Sequence, residues 1–341
     1  MAGSGKAHLH NDPSSDVILR VEDLLVEFKT DVRDQKVHAV TGISFDVLAG
    51  ETLGLVGESG CGKSTTGRAI MQIPRPSGGS VVFEGRELTD LQGEDLRKLR
   101  TDMQMIFQDP ISSLNPRRKV IDIVAEPLHI WGIGTKEERV AKARATLEAV
   151  GIDPDQAGDR RPHQFSGGQC QRICIARALV LDPHMIICDE PVSALDVSVQ
   201  AQVLNLLEDL KQKFNLTLVF IAHDLAVVKN VSDRVAVMYL GKMCEIAPSD
   251  DLYREPRHPY TSALLKAIPV PDPTVRPNDA VRLSGEIPSP IAPPSGCRFR
   301  TRCPSATSVC AELEPMLTEV GPDHFVACHH PVDVPALHAI A

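Results

Sequence analysis

Short apolar runs alternate along the chain with segments in which apolar residues recur at helical spacing. Apolar and β-branched residues predict strands over residues 18–28, 43–47 and 51–56. Two later runs, residues 185–188 and 217–222, are continuously apolar, which is typical of buried parallel strands. Strands that alternate with helices indicate an α/β fold built on a mostly parallel sheet.

Helical spacing of apolar residues predicts helices between these strands. The segments with that spacing are residues 63–72, 119–150 and 199–214. A further short strand is expected over residues 103–107, directly ahead of Gln108. The order of the elements is therefore that of a chain with alternating strands and helices up to about residue 260.

The two ends of the chain differ in composition from its middle. Residues 1–16 are polar, and we expect them to form a disordered leader. Eight prolines lie between Pro269 and Pro294, which favours an extended linker over a helix or a central strand. We therefore expect a main domain over residues 17–260 and a C-terminal extension over residues 261–335.

A formal net charge of −9 and a content of only 4% aromatic residues narrow the range of functions. Proteins that bind duplexes usually present a basic stripe, and proteins that bind single strands use aromatic stacking platforms. We therefore expect no nucleic-acid partner. No apolar run approaches the roughly 20 residues that a membrane helix needs, so other chains would have to supply any membrane-spanning part.

A glycine-rich turn follows the strand predicted at residues 51–56. Residues 57–64 read G-E-S-G-C-G-K-S and match the phosphate-loop pattern G-x4-G-K-S/T. Glycines let several backbone N–H groups converge on one phosphate cluster, and the following helix points its positive end at the same anion. Lys63 would reach the β- and γ-phosphates, and Ser64 would hold Mg²⁺. Cys61 occupies a variable position, where only its backbone is expected to matter.

Two carboxylates follow the apolar run at residues 185–188. Asp189 would bind Mg²⁺ directly or through water, and Glu190 would polarise the attacking water. A solvated strand end is the alternative interpretation of such a pair. The carboxylate pair indicates ATP hydrolysis only because the same chain also carries the phosphate loop.

Residues 165–169 read F-S-G-G-Q and precede an amphipathic helix. This segment resembles the LSGGQ signature of the ABC ATPase family, with Phe165 where the family has leucine. The resemblance implies a P-loop NTPase fold of the ABC type, with a helical subdomain inserted at about residues 109–174 and a small Cys-rich C-terminal extension. It also implies that the signature contacts ATP held by a second ATPase domain, through Ser166, Gly167, Gly168 and Gln169. A Ser hydroxyl and Gly amides at a helix N-terminus suit an anion.

The remaining elements of this family occur in the family's order. Gln108 resembles the glutamine that touches Mg²⁺ and water, Asp196 resembles the acidic residue of the D-loop, and His223 resembles the switch histidine. A neutral imidazole at that place can hold the γ-phosphate and the water together. The catalytic residues expected are thus Gln108, Glu190 and His223. The residues expected to bind ATP are Phe28, which would stack on adenine, and Gly57, Glu58, Ser59, Gly60, Cys61, Gly62, Lys63, Ser64 and Thr65.

Four stretches are similar to the dipeptide/oligopeptide importer ATPases within that family. They are G-E-S-G-C-G-K-S-T at 57–65, S-L-N-P-R at 113–117, P-V-S-A-L-D-V-S at 191–198 and R-H-P-Y-T at 257–261. Cys170 departs from the pattern, because the family usually has arginine directly after the signature. That departure could weaken a polar contact near the signature helix.

Four cysteines near the end of the chain, Cys297, Cys303, Cys310 and Cys328, have the spacing C-x5-C-x6-C-x17-C. This is not the spacing of a zinc finger, and four thiolates suit either a 4Fe–4S iron–sulfur cluster or a structural zinc ion. The family resemblance implies the iron–sulfur cluster. Structural Zn²⁺ and four unligated cysteines remain the alternatives. A short Pro-rich segment needs a staple to fold, so we expect a structural role for the group.

The resemblance implies an ATP-hydrolysing subunit that powers import of dipeptides or oligopeptides from the cytoplasmic face of the inner membrane, where the chain would be peripheral. One phosphate loop and one signature per chain require a second ATPase subunit, either identical or paralogous. Two permease subunits and an extracytoplasmic peptide-binding protein would complete the importer. Another small solute, such as nickel or glutathione, is the alternative cargo. An ABC ATPase with no role in transport is a further alternative.

Overall fold

The computed structural model describes residues 5–12, 16–32, 34–268 and 285–332. The chain divides into two compact units: the first contains Met1–Asp90 and Ala222–Ala341, and the second contains Leu91–Ile221. Each unit combines strands with helices, in agreement with the predicted α/β class. Within the described ranges, no helix is both long and apolar enough to cross a bilayer.

The N-terminal part of the first unit contains five strands and one helix. They are β1 Val17–Lys29, β2 Lys36–Leu48, β3 Thr52–Val56, α1 Lys63–Ile70, β4 Gly78–Phe83 and β5 Arg86–Glu87. Four of the strands form an antiparallel sheet in the order β2-β1-β4-β5. Val21 pairs with Phe45 on one side and with Val81 on the other, and all three are buried. Every residue of β3 is buried, which explains its continuous apolar run.

The second unit contains three parallel strands and the helices that connect them. Its elements are α2 Gly93–Asp102, β6 Met103–Ile106, α3 Val120–Ile130, α4 Lys136–Ala149, α5 Pro154–Ala157, a 3₁₀ turn at Pro162–Gln164, α6 Gly167–Leu179, β7 Met185–Asp189, α7 Val197–Phe214 and β8 Thr217–Ala222. The strands lie in the order β8-β7-β6, with Met103 paired to Met185 and Ile186 paired to Leu218. The apolar runs predicted as buried parallel strands are confirmed as β7 and β8.

The helical spacing predicted over residues 119–150 is confirmed as two helices, α3 and α4. Thr135 ends the connection between them, because its side chain accepts a hydrogen bond from the Glu138 N–H at 3.2 Å. The Glu138 carboxylate accepts in turn from the Thr135 N–H at 2.6 Å. This reciprocal capping box fixes the start of α4.

The chain then returns to the first unit with α8 Leu225–Lys229, β9 Arg234–Tyr239, β10 Lys242–Pro248, α9 Ser249–Arg254, α10 Pro259–Lys266, α11 Val309–Glu312, β11 Thr318–Gly321 and β12 His324–Val326. Its strands outside the first sheet lie in the order β11-β12-β10-β9-β3, in which β3 and β9 pair in parallel and the other neighbours pair antiparallel. The pairing therefore changes from parallel to antiparallel at β10. The cause is the two-residue turn Leu240-Gly241, in which both φ angles are positive, as a tight hairpin requires.

The segment expected to be an appended C-terminal extension shares this sheet. Strand β12 pairs with β10, with Val326 opposite Glu245 and Phe325 opposite Ile246. Residues 285–332 accordingly belong to the same compact unit as β3 and α1. Most of the Pro-rich linker predicted between Pro269 and Pro294 lies outside the described residues, as do residues 333–335.

Residues 5–12, within the disordered leader expected over residues 1–16, contact β1 and β2. His8 and Leu9 are buried, and the His8 ring bonds to the Ser44 carbonyl oxygen at 2.8 Å. The Lys6 ammonium forms ion pairs with two carboxylates of β1, Glu22 at 2.8 Å and Asp23 at 2.7 Å. A polar composition did not reveal these contacts, because each partner lies on a strand far along the sequence. Residues 1–4 and 13–15 lie outside the described residues.

Candidate functional site

The phosphate loop occupies the turn between β3 and α1 in the first unit. Strand β3 ends at Val56, and α1 begins at Lys63. Gly57 has a φ angle of 151°, and a Cβ atom there would collide with the Met238 carbonyl oxygen of β9. Only glycine allows the loop to lie against the neighbouring strand in this way. The first turn of α1 contains Ser64 and Thr65, both half-buried.

Lys63 is buried beneath the loop, and its ammonium group is held by loop carbonyls. Its Nζ donates to the Gly57 oxygen at 2.7 Å and to the Glu58 oxygen at 3.0 Å. The N-cap residue of α1 is Gly62, which has no side chain with which to cap the helix. The positive end of the helix and the ammonium group therefore lie at the same turn, which is the charge arrangement that a phosphate anion needs.

Cys61 lies inside the loop and is 3% exposed. Burial raises the pKa of its thiol, so the side chain stays neutral near pH 7. Cys61 therefore contributes to the loop through the packing of its side chain and through its backbone, and not through thiol chemistry.

The second unit brings together two of the predicted catalytic residues. The Gln108 side chain donates from Nε2 to Glu190 Oε2 at 3.0 Å. Asp189 is the last residue of β7 and is fully buried. Glu190 follows it with a φ angle of 47°, and its backbone N–H donates to the Ile221 carbonyl oxygen at 2.9 Å. A left-handed conformation costs a glutamate about 1 kcal/mol, and such strain is concentrated at functional sites.

The signature forms the N-terminus of α6. Ser166 is the N-cap, and its hydroxyl oxygen accepts from the Gln169 N–H at 3.3 Å. The Gln169 side chain accepts from the Ser166 N–H at 3.0 Å. Ser166 and Gln169 are exposed and Gly167 is half-buried. The capping bond uses the Ser166 hydroxyl only as an acceptor, so its O–H can still donate to an anion outside.

Two departures from the family pattern at the signature have a structural explanation. Phe165 receives the Arg160 guanidinium over its ring at 4.6 Å from the centroid, a contact that leucine could not make. Cys170 is 1% exposed, and its Sγ lies 3.5 Å from the Pro162 carbonyl oxygen. Cys170 is therefore accommodated as a small buried side chain.

The remaining predicted residues lie at the ends of elements. Asp196 is exposed at the N-terminus of α7, and the preceding turn is held by Ser193, whose hydroxyl donates to the Glu190 carbonyl oxygen at 3.1 Å. His223 is exposed and follows β8. Phe28 is 40% exposed near the end of β1. Phe28, the phosphate loop and His223 belong to the first unit, whereas the glutamine, carboxylates, signature and Asp196 belong to the second.

The four late cysteines line one cavity in the first unit, together with His258 and Phe299. All four are free thiols, and the Cys297 N–H donates to the Cys310 carbonyl oxygen at 2.8 Å. Burial raises the pKa of Cys297 and Cys303, and it raises that of Cys328 to about 11. Four thiolates would therefore need a positive partner to stay ionised together.

Direct metal ligation by these cysteines is not borne out by the geometry. In the part of the chain that the structure describes, no group of three or more His, Cys, Asp or Glu side chains is placed to hold a metal ion. The cysteines share a cavity but do not form a ready-made ion site.

Sequence reasoning missed two contacts of Glu58. The Arg302 guanidinium donates to both of its carboxylate oxygens, and the Tyr260 hydroxyl oxygen accepts from its backbone N–H at 2.8 Å. Arg302 is separated from Glu58 by 244 positions, so no local pattern could reveal the contact. The only indication was a charged residue directly before Cys303.

Two protein families match different parts of the chain. Residues 40–193 match the ABC transporter family, and residues 244–310 match the C-terminal region of oligopeptide/dipeptide transporters. The chain is 50% identical over 323 residues to the oligopeptide transport ATP-binding protein OppF of Salmonella typhimurium, which covers 92% of this chain and 96% of that protein. It is 53% identical over 299 residues to the oligopeptide transport ATP-binding protein AppF of Bacillus subtilis, covering 86% and 89% respectively.

A solved structure supports the same assignment. The dimeric, post-hydrolysis ATP-binding cassette MJ0796 with ADP and phosphate superposes with a TM-score of 0.62 at 27% identity, over 68% of this chain and 98% of the cassette. The chain therefore belongs to the ABC transporter family, as an ATP-hydrolysing subunit of the oligopeptide/dipeptide transporter type.

Proposed function

We propose that this chain binds Mg-ATP in the loop at residues 57–65 and hydrolyses it with Glu190 as the residue that polarises water. The observation that carries the proposal is the hydrogen bond between Gln108 and Glu190 at the end of a buried strand that also bears Asp189. Carboxylates and an amide at that place can hold Mg²⁺ and orient a water molecule. Ser64, Gln108 and Asp189 would provide the metal's contacts.

The other residues have roles in binding and sealing the nucleotide. Phe28 would stack on adenine, and Lys63 would neutralise the β- and γ-phosphates. His223 would hold the γ-phosphate and the water from the other side. Positioning and charge stabilisation supply most of the rate enhancement in phosphoryl transfer, so no covalent intermediate on the protein is required.

We infer that the working ATPase contains two such subunits, either identical or paralogous. Each chain has one phosphate loop and one signature, and Ser166 is exposed with a hydroxyl proton available for a phosphate oxygen. Val197, the residue after Asp196, is 82% exposed, which suits a surface that a partner covers. In this arrangement the signature of one subunit closes over the ATP held by the other.

Peptide is the cargo that we propose, because OppF and AppF are named for oligopeptide transport and the C-terminal region matches the oligopeptide/dipeptide transporters. The chain would act peripherally at the cytoplasmic face of the inner membrane, with two permease subunits and an extracytoplasmic peptide-binding protein. We propose that the chain does not bind nucleic acid. The cargo can be identified by adding peptides, nickel or glutathione separately to the reconstituted importer and measuring how far each one stimulates ATP hydrolysis. Stimulation by nickel or glutathione but not by peptides would refute the peptide assignment.

Replacement of Lys63 tests the nucleotide site. Lys63→Ala removes the buried ammonium group, and we expect ATP binding to weaken about thirtyfold or more. Lys213→Ala removes the same charge from an exposed helix position and serves as the control. Binding of a fluorescent ATP analogue to the full chain measures both. Equal affinity of the two variants would refute the proposed loop function.

We further propose that Cys297, Cys303, Cys310 and Cys328 hold a 4Fe–4S cluster with a structural role. The proposal is supported by their shared cavity, by the free state of all four thiols and by the raised pKa values, which a positively charged cluster core would offset. The cluster would hold residues 297–310 against Cys328, which follows β12. Structural Zn²⁺ remains the alternative ligand.

Metal analysis of the chain purified without oxygen separates these possibilities. We expect about four iron atoms and four acid-labile sulfides per chain with broad visible absorbance. One zinc atom per chain without iron would identify structural Zn²⁺ as the ligand. The absence of both iron and zinc would indicate four unligated cysteines. Cys303→Ser should lower the iron content, whereas Cys244→Ser, at a buried cysteine outside the cavity, should not.

A further inference from the structure

Glu58 places a carboxylate within the phosphate loop, where it is paired with a distant arginine of the first unit. Arg302 donates from Nη1 to Glu58 Oε2 at 2.6 Å and from Nη2 to Oε1 at 3.0 Å. Two parallel hydrogen bonds between a guanidinium and a carboxylate fix both distance and orientation. The Arg302 side chain is 5% exposed and that of Glu58 is 23% exposed, so water screens the pair only in part.

The arginine is itself held by a group of aromatic side chains. Its Nη1 lies 3.4 Å from the Tyr239 hydroxyl oxygen, and its guanidinium lies 5.7 Å from the centre of that ring. Tyr239 packs edge-on against Tyr260 and Phe299, at centroid distances of 4.8 and 5.2 Å. These rings are buried, so the guanidinium has little freedom to leave the carboxylate.

Tyr260 fixes the backbone of the same loop residue. Its hydroxyl oxygen accepts the Glu58 N–H at 2.8 Å, and Tyr260 is fully buried in α10. Both the backbone and the side chain of Glu58 are therefore bound to groups from the C-terminal region, residues 257–332. Arg302, which lies in the extension expected over residues 261–335, thus contacts the loop that we propose binds ATP.

The charge of Glu58 makes this contact relevant to nucleotide binding. ATP carries several negative charges on its phosphates, and a loop that binds it must present N–H groups and cations. An unpaired carboxylate one residue after Gly57 would repel that anion. Pairing with Arg302 neutralises the carboxylate and holds it at the side of the loop where the C-terminal region lies.

We propose that Arg302 is a positioning residue for ATP binding: it neutralises and orients Glu58, so that the C-terminal region sets the affinity of the phosphate loop for nucleotide. The proposal rests on the proposed role of the loop at residues 57–65. It assigns to Arg302 no contact with ATP itself. The effect is also reciprocal: if the ion pair between Arg302 and Glu58 favours ATP binding, bound ATP must favour that ion pair to the same extent.

The test measures ATP affinity in the full chain at fixed salt. Arg302→Ala leaves the carboxylate unpaired, and we expect the Kd for ATP to rise about tenfold. The double variant Arg302→Ala with Glu58→Gln removes that charge as well and should restore the Kd to within about threefold of the wild-type value. Arg300→Ala is the matched control, because Arg300 lies in the same segment but its side chain bonds to Ser295, through Nε at 3.0 Å and Nη2 at 3.4 Å, and not to Glu58.

Salt dependence separates charge from a loss of structure. Because the defect of Arg302→Ala comes from repulsion, its Kd relative to wild type should fall as ionic strength rises. Arg302→Lys keeps one charge at the site and should retain most of the affinity. Arg302→Gln removes the charge but keeps most of the side chain, and it replaces Arg302→Ala if that variant does not fold. An unchanged Kd in Arg302→Ala would overturn the proposal. So would a defect that salt and Glu58→Gln both fail to relieve.

The Lys63→Ala variant distinguishes failure of this inference from failure of the proposed function. If Lys63→Ala weakens ATP binding and Arg302→Ala does not, the loop binds nucleotide and only the role of Arg302 is wrong. If Lys63→Ala binds ATP like the wild type, the loop assignment itself fails. Turnover at saturating ATP should change less than about threefold in Arg302→Ala, because the residue acts on binding and not on the hydrolytic step.

Discussion

At the scale of single residues, Glu190, the carboxylate that we propose as catalytic, is held by its neighbours. Glu190 adopts a left-handed backbone conformation directly after the buried Asp189, and Gln108 donates to its side chain at 3.0 Å. The left-handed conformation costs about 1 kcal/mol, and such strain is concentrated at functional sites. The apolar run and the tandem carboxylates were readable in the sequence, but the contact with Gln108 was not.

The ion pair between Glu58 and Arg302 should show an asymmetric effect on stability. Glu58→Ala leaves the guanidinium, which is 5% exposed, without its charge partner, and we expect a loss of about 3 kcal/mol in the free energy of unfolding. Arg302→Ala leaves a carboxylate that is 23% exposed and can recover water, so its loss should be smaller. Urea unfolding of both variants compares them. A larger loss in Arg302→Ala would contradict the burial argument.

At the scale of elements, the signature helix depends on a close approach between α6 and α7. A Cβ atom at Gly168 would collide with Cγ1 of Val199. Gly168→Ala should therefore destabilise the chain by about 1–3 kcal/mol, even though alanine favours a helix.

The change in stability caused by Gly168→Ala should reverse its sign when the Val199 side chain is shortened. In a Val199→Ala background, Gly168→Ala should stabilise the chain by about 0.5–1 kcal/mol, because only the helix propensity remains. Thermal unfolding of the four chains of this cycle measures both values. Destabilisation of equal size in both backgrounds would show that Val199 is not the obstacle.

The N-cap of α10 gives the chain a dependence of stability on pH. His258 Nδ1 accepts the Tyr260 N–H at 3.0 Å, and burial lowers the pKa of His258 to about 4 from its usual value of 6.5. Between pH 6.5 and pH 4 the unfolded chain binds a proton at this residue that the folded chain does not. Stability is therefore fully present above pH 6.5 and decreases as the pH falls.

Replacement of His258 by asparagine tests this effect, because asparagine can cap a helix but does not titrate. Between pH 7.5 and pH 5 the wild-type chain should lose about 2 kcal/mol more stability than His258→Asn. Urea unfolding at the two pH values provides the comparison. Equal losses in the two chains would show that His258 does not titrate on unfolding.

At the scale of the whole molecule, the sequence specified the chemistry more completely than the architecture. The phosphate loop, the tandem carboxylates and the signature each have a short pattern dictated by local chemistry, and they lie where the pattern placed them. The mixed sheet of the first unit depends on a two-residue hairpin and on the pairing of β12 with β10. The ordered residues 5–12 depend on ion pairs with β1, and no local pattern contains such distant pairings.

The C-terminal region illustrates the limit of sequence reasoning best. Its cysteine spacing was visible and suggested a ligand, yet the described residues show a shared cavity and no ready ion site. Its arginine was not singled out, yet that residue reaches the phosphate loop across 244 positions. Long-range ion pairs depend on the packing of whole elements, so they appear only when the fold is known.

The most direct test of the central claim is ATP turnover and ATP retention measured together in the assembled transporter with Glu190→Gln. The account predicts that turnover falls about a hundredfold or more while ATP stays bound, because the amide keeps the shape of the site but cannot polarise water. Glu94→Gln, at an exposed residue of α2 paired with Arg97, is the control and should leave both quantities unchanged. Undiminished turnover in Glu190→Gln would contradict the account.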